Sequence, residues 1–211
     1  MEVIVYSGNI GGYDTPKEQA VKIPNARYLL FTDNPVPVKG WEVIAVNDSR
    51  HQREIARDIK VNAHEWLPKH DLSIWVDHAF TLNVASKLPV THDVTCYAHH
   101  ARNCIYQELE VCSRIGHIST HDANRLLATL ADLKYPKNNG LCSSGFMLRR
   151  NTKDFNMEWW SLMQEFSMRD QLTQHLAAWL TGTQIGYFQN GNVYSNPYLS
   201  KKTGHKRSNI F

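Results

Sequence analysis

Leu72-Ser73-Ile74-Trp75-Val76-Asp77-His78 is the stretch that decides the fold: a nearly continuous apolar run breaks off on a carboxylate. Such a run, bounded by polar residues, marks a strand buried on both faces, as strands of a parallel sheet are. Upstream, residues 2–6 (EVIVY) read as a short buried strand ending in a Gly-rich turn from Ser7 to Asp14. Residues 27–32 (RYLLFT) and 42–46 (EVIAV) make the second and third strands. Between the third strand and the 72–76 run, Ser49 can cap a helix in which Ile55, Ile59, Ala63 and Trp66 recur at helical spacing.

Downstream, a short strand falls near Thr95–Tyr97, followed by a helix with Ile105, Leu109 and Cys112 on one face and another striped by Leu126, Leu130 and Leu133. After Gly140 come a strand-like GFMLRR (145–150), a helix marked by Phe155, Trp159, Leu162 and Phe166 with Thr152 as its cap, and a last helix from about Asp170 burying Leu172, Leu176 and Trp179. Alternating strands and helices predict an α/β fold: a single Rossmann-like domain over 1–211, its central, mostly parallel sheet flanked by helices. From Thr181 onward Gly, Asn and Pro dominate, so a looping C-terminal segment is expected, its basic part (about 190–211) folding over the site.

At 211 residues the chain is long enough for one buried core and short for two. No apolar run approaches the roughly 20 residues of a membrane span, so no membrane insertion is expected. Met1-Glu2-Val3 leads directly into a strand pattern, so no signal peptide is expected either. Cys96, Cys104, Cys112 and Cys142 form no CxxC pair, and the reading expects four reduced, unligated thiols in a cytoplasmic setting. The net charge is only +3, but Lys201, Lys202, His205, Lys206 and Arg207 crowd the end of the chain, where they could meet phosphates.

Ligands of open parallel sheets bind beyond the carboxyl ends of the strands. Tyr6-Ser7, Thr32-Asp33 and Asp77-His78 stand at three such ends. Asp77 is placed to hold a metal ion or a ribose hydroxyl, although many Asp residues after strands only shape turns. Arg57 and Lys60, at i and i+3 of one helix, can reach the same phosphate, while Arg53 and Lys60 can equally form a solvated face with Glu54 and Asp58. His99, His100 and Arg102 form a second cationic group ahead of Glu108. Arg169-Asp170-Gln171 opens a helix, and Asp170 is either its cap or a carboxylate facing a sugar. Asn caps a helix as well as Asp does, so Asp170→Asn is expected to fold intact. The chain has no GxxxxGK[ST] loop, no GxGxxG, no GxSxG and no HExxH, so the chemistries tied to those motifs are poorly supported.

In order along the chain stand Tyr6-Ser7, Gly12-Tyr13-Asp14, Phe31-Thr32-Asp33, Gly40-Trp41, Arg57-x-x-Lys60, Trp75-Val76-Asp77, His99-x-x-Arg102, Gly140-Leu141, Arg149, Trp159-Trp160 and Arg169-Asp170-Gln171. This ordered set resembles the glycosyltransferase-like domain shared by plant Golgi mucilage and pectin enzymes and by bacterial and phage proteins. The resemblance implies a GT-A fold, distantly similar to family 8 glycosyltransferases, with a nucleotide sugar, such as a UDP-sugar, at the carboxyl edge of the sheet. It also implies Mn²⁺ or Mg²⁺ as cofactor. By that analogy Asp77 and His205 would hold the metal. Tyr6, Ser7 and Asp33 would line the nucleoside. Arg57, Lys60, Asp77, His99, Arg102 and Arg169 would contact the rest of the donor, and Asp170 and Gln171 would face the transferred sugar as the catalytic pair. One departure matters: the segment reads Asp77-His78-Ala79, so the second carboxylate of a DxD motif is absent.

The expected activity is transfer of a hexose or pentose to a hydroxyl, with a weak lean from family 8 towards retention at the anomeric carbon. The acceptor is a saccharide or a hydroxymethylated base in phage DNA, the latter implying a host cytoplasm and suggested by the basic tail. The alternative is a non-catalytic module that binds a nucleotide sugar or nucleic acid, for which the missing carboxylate speaks.

Overall fold

The computed structural model describes residues 1–201 apart from residues 13, 16, 87 and 151, with only the backbone of Lys201. Among the described residues nine strands are seen: β1 Val3–Asn9, β2 Ala26–Thr32, β3 Glu42–Ala45, β4 Leu72–Val76, β5 Phe80–Leu82, β6 Val94–Ala98, β7 Cys142–Arg149, β8 Ile185–Tyr187 and β9 Leu199–Lys201. The α-helices are α1 Gln52–Val61, α2 Ala63–Trp66, α3 Ile105–Arg114, α4 Thr120–Asp132, α5 Lys153–Phe166 and α6 Gln174–Thr181, and a single 3₁₀ turn covers Asp170–Leu172.

Seven strands form one sheet in the order β3-β2-β1-β4-β7-β6-β8, and β5 pairs with β9 in a separate ribbon. Only β7 runs against its neighbours; the other pairings in the large sheet are parallel. The chain therefore has the mostly parallel, helix-flanked α/β architecture that the alternating pattern predicts. The two faces of the sheet divide the core by strand alternation. Ile4 and Tyr6 of β1 and Trp75 of β4 pack in one cluster with apolar side chains from α1 to α6. Val3, Val5, Ile74 and Val76 face the other way, against Phe80, Leu82, Phe188, Val193 and Leu199. The helices thus cover one face, while the β5–β9 ribbon and the late loops cover the second.

Several local expectations are corrected. β1 continues through Ser7-Gly8-Asn9, because these residues pair with Leu30, Phe31 and Thr32 of β2 before the glycine turn begins. His51, not Ser49, caps α1, its side chain accepting from Arg53 N. That helix stops at Asn62, whose amide donates to the Asp58 carboxylate at 2.6 Å, so Ala63–Trp66 form a separate turn. Trp179, expected in the core, is 41% exposed. The C-terminal segment is not all loop: β8 adds to the sheet beside β6, and β9 pairs with β5.

Cys96 and Cys142 are joined as a disulfide, which corrects the reading of four reduced thiols; Cys104 and Cys112 are the free, buried ones. Their separation in sequence gives no sign of this. The register does, setting Ala98 opposite Cys142 and bringing the two cysteine Cα atoms to 6.4 Å, within bridging range. No helix among the described residues is long and apolar enough to cross a membrane.

Candidate functional site

Because β7 is antiparallel, its first residues lie at the carboxyl edge of the parallel strands, beside the end of β4. The β6–β7 pairing shifts register between Cys96 and Tyr97, so Ser144, Gly145 and Phe146 have no partner on β6. This irregularity presents Ser144 and Gly145 to the residues gathered at that edge. Asp77 N donates to Gly145 O at 2.8 Å. A Cβ at position 145 would stand 3.0 Å from Asp77 Oδ2, so glycine leaves room for the carboxylate.

Lys60, in the last turn of α1, is 1% exposed and lies between two carboxylates. Its Nζ donates to Asp170 Oδ2 at 2.6 Å, contacts Ser144 Oγ at 3.2 Å, and stands 3.6 Å from Asp77 Oδ1. The ammonium also sits 5.6 Å from the centre of the Trp75 ring, and the Trp75 indole donates to Asp77 Oδ1 at 2.6 Å. The helix end that carries Lys60 is fixed from below. Arg149, 1% exposed, donates to the carbonyls of Lys60 and Val61 and to the Tyr6 hydroxyl, which itself donates to Lys60 O. These bonds satisfy carbonyls that a helix terminus leaves without partners.

Asp170 is 3% exposed. Its Oδ2 accepts from Lys60 and from Ser144 Oγ at 2.8 Å, and Arg57 Nη1 lies 3.5 Å away. Its Oδ1 accepts from Gln171 N, and its carbonyl oxygen from the buried indole of Trp159 at 3.1 Å. Burial alone would push this carboxyl up, but Arg57, Lys60 and Arg169 together outweigh it and hold the group well below the usual carboxylate range. Asp170 is therefore not a helix cap, since Arg169 precedes the short 3₁₀ turn and the carboxylate faces a buried ammonium instead.

A second knot of charge adjoins the first. Glu108 of α3, fully buried, accepts from Arg102 Nε and from Arg169 Nη2 at 3.3 Å. Burial raises its pKa, and the two guanidinium groups more than reverse the shift. His99 Nδ1 accepts from Arg102 N at 3.1 Å; burial first, then Arg102, lower the ring's pKa to about 4. Arg57, Arg102 and Arg169 each keep about a quarter of their side chains open to solvent: 25%, 23% and 26%. Arg53 joins them: burial, then Arg57 and Arg169, lower its pKa, with Asp170 acting in the opposite sense. Arg57, Arg102 and Arg169, partly open to solvent, are the cations of this edge that an anion can reach.

Neither a known protein-family model nor a curated protein matches the chain.

The residues singled out from the sequence do not all meet at this edge. Lys60, Asp77, Arg57, Arg169 and Asp170 are brought together, and Glu108 connects them through Arg169 to Arg102 and His99. Tyr6 and Ser7 are buried instead: Tyr6 is 0% exposed, and Ser7 lies with its Oγ 3.4 Å from His78 Nδ1. Their place beneath the edge corrects the expectation that they line a nucleoside. Asp33 is exposed at the end of β2 and accepts from Gly11 N at 2.8 Å, which ties it to the glycine turn. Gln171 donates to Cys142 O at 3.3 Å. His205 lies outside the described residues, as does Tyr13. Ser144 is not legible in the sequence, since nothing in the spacing marks a serine in a strand, and Arg53, read there as part of a solvated helix face, stands beside Arg57 and Arg169.

For a divalent cation the described residues offer little: no three His, Cys, Asp or Glu side chains converge. Asp77 Oδ1 is taken by Trp75 and faces Lys60, so Oδ2 is the one oxygen of that carboxylate open to a metal. That fits only the mode in which one protein carboxylate and the oxygens of a phosphate ligand share Mg²⁺ or Mn²⁺.

Proposed function

We propose that this protein is a glycosyltransferase that moves a sugar from a nucleotide-sugar donor, a UDP-sugar, to an acceptor hydroxyl. The observation that carries the reading is the meeting of Lys60, Arg57 and Arg169 on the buried Asp170 beside Asp77, at the carboxyl edge of a parallel sheet. The partly open guanidinium groups of Arg57, Arg102 and Arg169 suit a diphosphate, with which arginine forms paired, charge-assisted hydrogen bonds.

Departure of a nucleoside diphosphate develops negative charge on the leaving oxygen and positive charge on the sugar. The arginines stabilise the first and are already in place, so little reorganisation is needed as the bond breaks. Asp170 remains ionised at any working pH, which makes it a poor proton acceptor. Its carboxylate, buried and bonded through both oxygens, instead keeps Lys60 and Arg57 in place. Asp33 at the glycine turn is the group offered to the nucleoside. If a metal takes part, Asp77 Oδ2 would hold it, and it would supply further positive charge at the diphosphate.

A non-catalytic module that binds a nucleotide sugar or nucleic acid is the second reading, favoured by Ala79 where a second carboxylate would stand. Incubating the full chain with a panel of UDP-sugars separates the two. Release of UDP, accelerated by a saccharide or by DNA carrying hydroxymethylated bases, supports the transferase. Binding of UDP-sugars without any release over many hours, with and without Mn²⁺, would instead establish the binding module.

A further inference from the structure

A second concavity, of about 540 Å³, lies between the loop that precedes β7, the helix α6 and the strand β8. The chemistry of its walls is unlike that of the arginine-rich edge. Asn138, Asn139, Thr183 and the Tyr187 hydroxyl line it together with His175 and Trp179, and no lining residue carries a charge at neutral pH. His175 is neutral there because burial lowers its pKa to about 4. Its Nε2 meets the Tyr187 hydroxyl at 3.2 Å and Cys142 Sγ at 3.3 Å, so the imidazole is held as part of the wall.

Two features show that the cleft is shaped rather than incidental. Asn138 and Gly140 both have positive φ, 58° and 88°. At Gly140 a Cβ would stand 2.3 Å from the Tyr187 hydroxyl and 2.9 Å from the His175 ring, so any side chain there would collide with the wall. In addition, Trp179 projects from α6 with 41% of its surface exposed, supported edge-on by Tyr135 at 5.6 Å. An exposed tryptophan beside two asparagines, a threonine and a tyrosine offers one apolar face and a rim of donors and acceptors.

We propose that this cleft is a binding subsite for a neutral saccharide, the Trp179 ring taking the apolar face of a sugar while Asn138, Asn139 and Thr183 take its hydroxyls. A phosphate or carboxylate ligand would find no cation among the lining residues. The proposal deepens the transferase reading, on which the saccharide's role as acceptor rests: three residues connect Gly140 to Ser144, a span of at most about 14 Å. A saccharide held in the cleft could therefore extend towards Asp170.

The test uses an array of neutral and acidic glycans probed with the full chain, followed by titration of the strongest neutral ligand against wild-type, Trp179→Ala, Asn139→Ala and Arg57→Ala proteins. Binding of a neutral oligosaccharide, weakened at least about tenfold by either cleft substitution and unchanged by Arg57→Ala, is the expected result. Thermal stabilisation by UDP is measured on the same variants and should be unchanged in Trp179→Ala. The subsite is overturned if no neutral glycan binds, if acidic glycans alone bind, or if both cleft variants bind as wild type does. Loss of UDP stabilisation in the wild type, by contrast, counts against the transferase reading and leaves the glycan result to be judged separately.

Discussion

Lys60 and Asp170, 110 residues apart in sequence, meet at 2.6 Å as ammonium and carboxylate, each almost completely shielded from water. Removing one member of such a pair strands the other in a medium of low polarity, at a cost of roughly 3–5 kcal/mol. The pair therefore links the stability of the fold to the chemistry of the edge.

Asp170→Asn is accordingly expected to lose both. Stability should fall by about 3 kcal/mol, a drop of some 6–12 °C in melting temperature for a chain of this size. Turnover of UDP-sugars should fall by about a hundredfold or more. Calorimetry and an assay of released UDP, run on the same preparation, check this. A variant with wild-type melting and wild-type turnover would show that the carboxylate matters to neither.

Asp77→Asn should behave differently. Asp77 is a third exposed, and its contact with Lys60 is longer, at 3.6 Å. Asparagine keeps an oxygen for the Trp75 indole, so melting should shift by only about 1 kcal/mol or less. Turnover should still drop about a hundredfold if Oδ2 serves the diphosphate or its cation. Equal turnover by mutant and wild type would remove Asp77 from the site.

Arg57→Ala and Arg169→Ala should each weaken UDP binding by about ten- to a hundredfold, the range for losing one charge-assisted hydrogen bond. Raising salt should weaken binding by the wild type more than by either mutant, since fewer charges remain to be screened. Isothermal titration at two ionic strengths reads both effects. Affinities unaffected by either substitution would place the anion elsewhere.

Stability should also depend on pH through His175, which faces Cys142 Sγ, the Tyr187 hydroxyl and the Asn139 backbone. Burial depresses its folded-state pKa to about 4, against an ordinary value of 6.5. The unfolded chain therefore takes up a proton before the folded one does. The contribution is complete above about pH 6.5, is lost as the pH falls towards 4, and amounts to roughly 3 kcal/mol. Melting curves between pH 4 and 7 should show this slope in the wild type and a shallower one in His175→Gln. Identical slopes would mean that the imidazole is as accessible to protons as in the unfolded chain.

The strands were legible because buried runs such as 72–76 leave few alternatives, and Asp77 could be placed at the edge for the same reason. The meeting of α1 with Asp170 was not, since a helix face carrying Arg57 and Lys60 looks the same whether it faces water or a buried carboxylate. Tyr6 looks like the last residue of a strand because Ser7-Gly8-Asn9 reads as a turn, whereas β1 continues to Asn9 and alternation turns Tyr6 inward with Ile4, where its hydroxyl meets Arg149. The disulfide and the role of Ser144 depend on strand register, to which local pattern is blind.

The ribbon that closes the second face of the sheet has a consequence for synthesis. Asn83, just after β5, bonds to Ser200 of β9 across 117 residues of chain. At ribosomal speeds of about 5–20 residues per second, that interval lasts roughly 6 to 23 s. Throughout it Phe80 and Leu82 have been made without the strand that later covers them, a window in which a nascent chain exposes apolar surface that a chaperone can shield.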